Sequence, residues 1–182
     1  MDFRKGITLI ELMIAVATLG ILTSLAIPSL NHLRASNAMA ASLNLFLAQL
    51  HLARSTAITR ERHITLCPAS SPTSCSNDSS SWAGGYLIFT DKNKNSEPDP
   101  DEEIVSYTTQ SPRNIQIRSS RFRNRISFLP QGRAWFSNAS IYFCHSQYTD
   151  LTRKIIISNN GRVRKEKVPP ETPTPCNPSE GR

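Results

Sequence analysis

Met1-Asp-Phe-Arg-Lys-Gly6, followed by Ile7-Thr-Leu-Ile-Glu11-Leu-Met-Ile-Ala-Val-Ala-Thr-Leu-Gly-Ile-Leu-Thr-Ser-Leu-Ala-Ile27 and Pro28, is the stretch whose reading decides the fold. Glu11 is the one charge between Ile7 and Ile27. At about 1.5 Å of rise per helical residue, this run reaches roughly 30 Å, the thickness of a bilayer's hydrocarbon core. A membrane-spanning helix is therefore expected. A secretory signal places its small-residue cleavage site after the apolar core. Here the small residue, Gly6, comes before that core and directly after Arg4-Lys5. Cleavage at Gly6 would remove the basic leader and keep the helix. A carboxylate inside such a span costs about 2.5–3.5 kcal/mol at mid-bilayer and less near an end, so Glu11 calls for a partner.

With these features in place, Gly6-Ile-Thr-Leu-Ile-Glu11-Leu-Met-Ile resembles the class III signal of type IV pilins and type II secretion pseudopilins. The resemblance implies that a prepilin peptidase cuts between Gly6 and Ile7 and methylates the new N-terminus. It also implies that Glu11 pairs with a neighbour's N-terminal amine in a filament. The family usually carries phenylalanine after the cut, where this chain has Ile7. A plain signal anchor is the simpler alternative.

The chain has 182 residues, and about 150 follow the apolar run, enough for one domain with its own core. The net charge is +7. Such a balance suits an anionic partner: nucleic acid, lipid or acidic polysaccharide. Arg4 and Lys5 precede the helix, so the positive-inside rule keeps them in the cytoplasm and sends everything after Pro28 outside. Cys67, Cys75, Cys144 and Cys176 all lie on that oxidising side, which favours two disulfides. Four cysteines allow three connectivities. The short Ser- and Pro-rich loop would close Cys67–Cys75 locally, leaving Cys144–Cys176 to tie down the tail. Zinc is the rival, but no CxxC or nearby His pair supports it.

Leu43, Phe46, Leu47, Leu50, Ala53 and Ala57 recur at three- and four-residue spacing, with Asn44, His51 and Ser55 on the other side. This predicts an amphipathic helix continuing to about Arg62, with a kink at Pro28. From His63 the period changes to two. Strands are expected at His63–Cys67, Tyr86–Thr90, Glu103–Tyr107, Ile115–Arg118, Ile126–Leu129, Ala134–Phe136, Ser140–Cys144, Lys154–Ser158 and Arg162–Arg164. Val168–Arg182 contains five prolines and reads as an extended tail.

The β region narrows the resemblance. Trp82-Ala-Gly-Gly-Tyr-Leu-Ile-Phe-Thr-Asp91, Asp101-Glu-Glu-Ile104, Ile126-Ser-Phe-Leu-Pro-Gln-Gly132-Arg, Ile141-Tyr-Phe-Cys144 and Arg153-Lys-Ile-Ile-Ile-Ser-Asn-Asn-Gly161-Arg-Val-Arg164 together look like the GspH/FimT group, most like a FimT-type minor pilin. An α+β fold is implied: a long N-terminal helix, transmembrane and then amphipathic, packed on an antiparallel β-rich globular domain. The expected organisation is a cleaved leader (1–6), a transmembrane helix (7–28), an amphipathic helix continuing into the pilin domain (29–62), a β-rich periplasmic or extracellular domain (63–167) and a Pro-rich tail (168–182).

Residues 113–167 hold Arg113, Arg118, Arg121, Arg123, Arg125, Arg133, Arg153, Lys154, Arg162, Arg164, Lys165 and Lys167 against Asp150 and Glu166, a net of +10. Positive charge is thus concentrated here, and arginine's planar fork suits phosphate. Arg162 and Arg164 would share a strand face, with Gly161 turning the chain before them. Gly161-Arg-Val-Arg164 resembles the GRxR motif of FimT-type minor pilins, which is linked to binding DNA during natural transformation. Arg153, Lys154, Lys165 and Lys167 are expected to join the same patch. A merely solvated basic face is the bland alternative.

Asp91, Asn93, Asn95, Glu97, Asp99 and Glu102 mimic the oxygen spacing of a calcium loop, but Ser96 stands where such a loop needs glycine, and strands rather than helices flank it. A polar hairpin loop is the preferred reading, with no cofactor. No nucleophilic triad or phosphate-cradling glycine loop is legible, and His32, His51, His63 and His145 are scattered. An enzyme is not expected. The expected protein is a minor type IV pilin, single-pass in a bacterial inner membrane with its C-terminal domain in the periplasm, then in the pilus. Its expected partners are other pilins, prepilin peptidase and double-stranded DNA. The alternative is a structural, priming minor pilin or type II secretion pseudopilin that binds only protein.

Overall fold

The computed structural model describes residues 8–109, 111–120, 123–134, 136–172 and 174–176, the side chain of Leu25 excepted. Gly6 and Ile7, the expected cleavage site, lie outside the described residues, as do Arg121, Trp135 and 177–182 of the tail.

Helix α1 runs from Leu9 to Arg60, through Pro28. Thr8 caps it: its hydroxyl accepts the Glu11 backbone N–H at 3.3 Å, the Thr-x-x-Glu arrangement that starts helices. Glu11 therefore sits in the first turn, where a carboxylate complements the helix dipole. The chain divides into two compact units, the first ending at Asn37 and the second being Ala38–Arg182.

In the first unit the large apolar side chains from Leu9 to Leu33 are exposed. The hydroxyls of Thr18, Thr23 and Ser24 donate back to carbonyls three or four residues earlier, so these polar groups are satisfied within the helix. By length and composition this helix can cross a membrane.

In the second unit α1 buries Met39, Leu43, Phe46, Leu50, Ala53 and Ala57, one face at helical spacing. Two antiparallel sheets complete the unit. The first contains β1 (Ile64–Ser71), β2 (Ser74–Cys75), β3 (Tyr86–Thr90), β4 (Ile104–Thr108) and β6 (Ile126–Phe128), in the order β2-β1-β3-β4 with β6 on β1. The second contains β5 (Ile115–Ser119), β7 (Ala139–His145), β8 (Arg153–Ile157) and β9 (Val163–Lys167), in the order β5-β7-β8-β9. Phe46 joins them. Its ring lies edge-on to Trp82, Tyr86 and Phe143, with centroids 5.6, 4.9 and 5.6 Å away. Burial pushes the Tyr86 phenol up to about 12, against a hydrogen bond with Thr108.

Disulfides join Cys67 to Cys75 and Cys144 to Cys176. The expected strand at Ala134–Phe136 does not form among the described residues. The Ala134 N–H donates to Asn159 O at 3.0 Å, and Phe136 turns into the left-handed region (φ +60°). The unpredicted β2 is a two-residue pairing beside the Cys67–Cys75 bond.

Candidate nucleic-acid interface

Strands β8 and β9 meet in the turn Ser158–Arg162. The Ser158 N–H donates to Arg162 O (3.0 Å) and the Gly161 N–H to Ser158 O (2.8 Å). Asn160 Oδ1 accepts from the Arg162 N–H at 3.0 Å. Gly161 has φ +76°, and this is the three-residue hairpin loop whose last position favours glycine.

Leu129–Arg133 is built the same way. The Leu129 N–H donates to Arg133 O (2.8 Å), the Gly132 N–H to Leu129 O (2.7 Å), and Gly132 has φ +73°. The two turns press together. A Cβ on Gly161 would lie 2.0 Å from Gly132 O, and one on either glycine would lie 3.2 Å from Arg54 Nε. Arg54, on α1, thus reaches the seam between the turns, where its Nε is buried and has no hydrogen-bond partner. Each glycine is followed by an exposed arginine, Arg133 or Arg162.

Register decides which cations lie together. Lys154 pairs with Glu166 and Ile156 with Arg164, while Ile155 and Ile157 face the core opposite Lys165 and Val163. Directly opposed residues share a face. Arg164, Lys154 and Glu166 therefore lie on the outer face, with Arg118 of β5 aligned through Tyr142 of β7. Arg162 extends this row by alternation. Arg153, Lys165 and Lys167 fall on the other face, so the single patch expected from the sequence does not form as drawn: a side-chain period of two sends neighbours to opposite sides. Lys154 is partly neutralised by Glu166 at 3.2 Å, and Arg153 donates to the carbonyls of Asp150 and Thr152 at 3.0 and 2.8 Å.

Arg118 donates to Pro175 O at 3.4 Å, where the tail crosses this face to reach Cys144. Arg125 is a structural cation. It donates to carbonyls of Ser76, Ser96 and Asn124, to Asn77 Oδ1 and to Glu97. The acidic loop spends its acceptors internally. Asn93 Oδ1 and Asn95 Oδ1 take the N–H groups of Asn95 and Glu97, and Glu102 takes those of Lys92 and Asp99.

Sequence reasoning missed Arg54 and the seam position of Arg133. The repeated Gly-Arg dipeptide at 132–133 and 161–162 was the available signal. Nothing local connects Arg54 with it.

Residues 42–161 match the family described as type II transport protein GspH. The chain belongs to this family. Among relatives of this GspH-family chain is the pilin-like protein PilA1 of Thermus thermophilus. It is 30% identical over 169 residues, which cover 90% of this chain and 99% of that protein. The fold is that of the type IV minor pilin FimU of Pseudomonas aeruginosa: TM-score 0.56 at 17% identity, covering 75% of this chain and 92% of FimU. A second crystal form of FimU gives 0.51 at 19% identity over 75% and 94%. The GspH match stops at the turn glycine Gly161, so Arg162, Arg164 and β9 are features of this chain beyond the matched stretch.

Proposed function

We propose that this GspH-family chain is a minor type IV pilin that binds duplex DNA through its phosphates, with Arg162 and Arg164 as principal contacts. The observation that carries this reading is the rigid Gly161 turn. It holds Arg162 and Arg164 on one exposed outer face, while the half-buried Arg54 of α1 reaches the seam where the Gly161 turn meets the Gly132 turn. Arginines on a fixed backbone approach phosphate with little ordering cost. Lys154 adds charge to the same face, and Arg153, Lys165 and Lys167 contribute field from the other side of the β9 edge. Such contacts carry no sequence information, so binding is general for DNA.

The remaining assignments rest on the N-terminal signal. Prepilin peptidase cuts between Gly6 and Ile7 and methylates Ile7. The helix holds the chain in the inner membrane with its β domain in the periplasm until it enters the pilus. There Glu11, in the first helical turn, meets the N-terminal amine of a neighbouring pilin. Mass spectrometry of membrane-extracted protein tests the cut: an intact Met1 in cells with the peptidase sinks it.

The DNA reading is tested on the full chain in non-ionic detergent, by anisotropy titration of a blunt duplex at several salt concentrations. Log affinity falls with log salt at about 0.9 per phosphate neutralised, so Arg162→Gln with Arg164→Gln shallows the slope by about two. Unchanged circular dichroism controls for folding. A double variant that binds like the parent moves the patch elsewhere. The match to the type II transport GspH family favours a second reading, a structural or priming minor pilin or type II secretion pseudopilin that binds only protein; absence of duplex binding at low salt would select it.

A further inference from the structure

A cleft of about 520 Å³ opens beside β1, β3 and β6 of the first sheet. Its walls come from four separate segments: His63 before β1, Asp91 and Lys94 after β3, Arg123 and Asn124 before β6, and Phe136 after the Gly132 turn. We infer that this cleft binds a nucleoside monophosphate unit, with the base against Phe136 and the phosphate between Lys94 and Arg123.

Three observations lead there. Phe136 is a large apolar side chain with 76% of its surface exposed, carried on a left-handed backbone (φ +60°). Two hydrogen bonds to backbone carbonyls lie at this position: Arg123 donates to Phe136 O at 2.8 Å, and the Ser137 N–H donates to Ala134 O at 3.0 Å. An exposed aromatic face is what an unstacked base requires.

The charge of the walls is the second observation. Arg125 is committed to five acceptors, Glu97 among them, so it adds little field. Asp91 keeps one negative charge in the wall: it is 2% exposed, its Oδ2 accepts from the Thr65 hydroxyl (2.9 Å) and the Ser96 N–H (3.2 Å), and its Oδ1 is buried with no hydrogen-bond partner. Two cations with no carboxylate partner among the described residues, exposed Lys94 and half-buried Arg123, outnumber Asp91 in the wall, with His63 beside them; Arg123 also donates from Nη1 to Phe136 O. An anion is favoured over a neutral aromatic. Third, the volume lies within the roughly 300–1,000 Å³ of small-molecule sites, so a nucleotide fits where a duplex cannot.

The unit has two sources, a free nucleotide or the unpaired end of a DNA strand. Leu129 links the second to the hairpin interface, because it both lines the cleft and opens the Gly132 turn that touches Gly161. The cleft does not depend on the duplex reading, and its test separates the two.

Calorimetry on the full chain in detergent uses adenosine monophosphate, inorganic phosphate, a blunt duplex and the same duplex with a short single-stranded overhang. Adenosine monophosphate binds, and Phe136→Ala weakens it by about tenfold, the loss of one base–aromatic stack. Lys94→Ala weakens it too, and neither change alters affinity for the blunt duplex. Arg162→Gln with Arg164→Gln does the reverse. A gain with the overhang that Phe136→Ala removes assigns the strand end as the source; nucleotide binding without that gain assigns the free nucleotide. The inference is overturned if neither the nucleotide nor the overhang adds binding. It is equally overturned if phosphate binds as well as adenosine monophosphate, or if Phe136→Ala leaves both affinities unchanged. Any of these leaves duplex binding at the hairpin standing.

Discussion

The two sheets share one helix but treat their second faces differently. In the first, every residue of β3 is buried. Ile64, Leu66, Tyr86 and Ile88 lie on the side of α1. Thr65, Cys67, Leu87 and Phe89 lie on the opposite side, where Cys67, Leu87 and Phe89 form a second apolar cluster with Ala69, Cys75 and Ile104 packed against it. In the second sheet β5 alternates, with Ile115 and Ile117 buried and Gln116 exposed, and its outer face carries Arg118, Lys154 and Arg164. Covering both faces builds stability. Leaving one face wet leaves room for charge, and the candidate interface is on the sheet that does so.

The largest test of this contrast is Phe46→Ala. A buried phenylalanine truncation costs about 3–5 kcal/mol. Because Phe46 touches Trp82 and Tyr86 on one side and Phe143 on the other, hydrogen exchange should rise in both β3 and β7. A rise confined to one sheet would break the picture of a shared core.

The disulfides sharpen it. The Cys144–Cys176 bond spans 32 residues and Cys67–Cys75 spans 8. On the chain-entropy account the first stabilises by about 3.7 kcal/mol and the second by about 2.5. Urea unfolding of the two Cys→Ser pairs should rank them in that order. The reverse order would mean that the cover over β3 matters more than loop closure.

Next comes the turn. Gly161→Ala places a Cβ in a left-handed residue, about 1–2 kcal/mol, and against the Gly132 carbonyl as well. Gly84→Ala meets nothing within 4 Å and should be nearly neutral in thermal unfolding. Equal melting temperatures for the two variants would remove the rigid turn from the argument.

The smallest effect concerns His63. Burial first, and then Lys94, hold its imidazole below the usual histidine value, against the pull of Asp91. The unfolded chain therefore binds more protons than the folded one just below pH 6.5. Stability rises with pH there, and the penalty disappears above the unfolded value. His63→Gln should flatten this part of the melting-temperature profile between roughly pH 5 and 7. An unchanged slope would show that another group titrates.

Much of this was legible from local pattern. Leu43, Phe46, Leu50, Ala53 and Ala57 mark the buried helix face, and Tyr86–Thr90 marks β3, because long periodic runs have few alternative solutions. The local pattern marks β9 only as far as Arg164, yet the strand extends to Lys167. Lys165-Glu-Lys167 has no strand signal of its own, and β8 supplies the ladder that makes it one. Ala134–Phe136 reads as a strand but serves a turn, since its backbone partner, Asn159, lies in a different hairpin.

By itself the sequence determined the membrane-length apolar helix, the change of period at His63 and the concentration of positive charge after residue 113. Each is a property of neighbours along the chain. The tertiary structure alone decided which cations share a face, that Arg54 reaches the seam of two glycine turns, and that Phe136 rims a basic cleft. These depend on register and on contacts between distant segments. A one-residue slip in pairing would turn Arg164 inward and Lys165 outward without changing a single local preference.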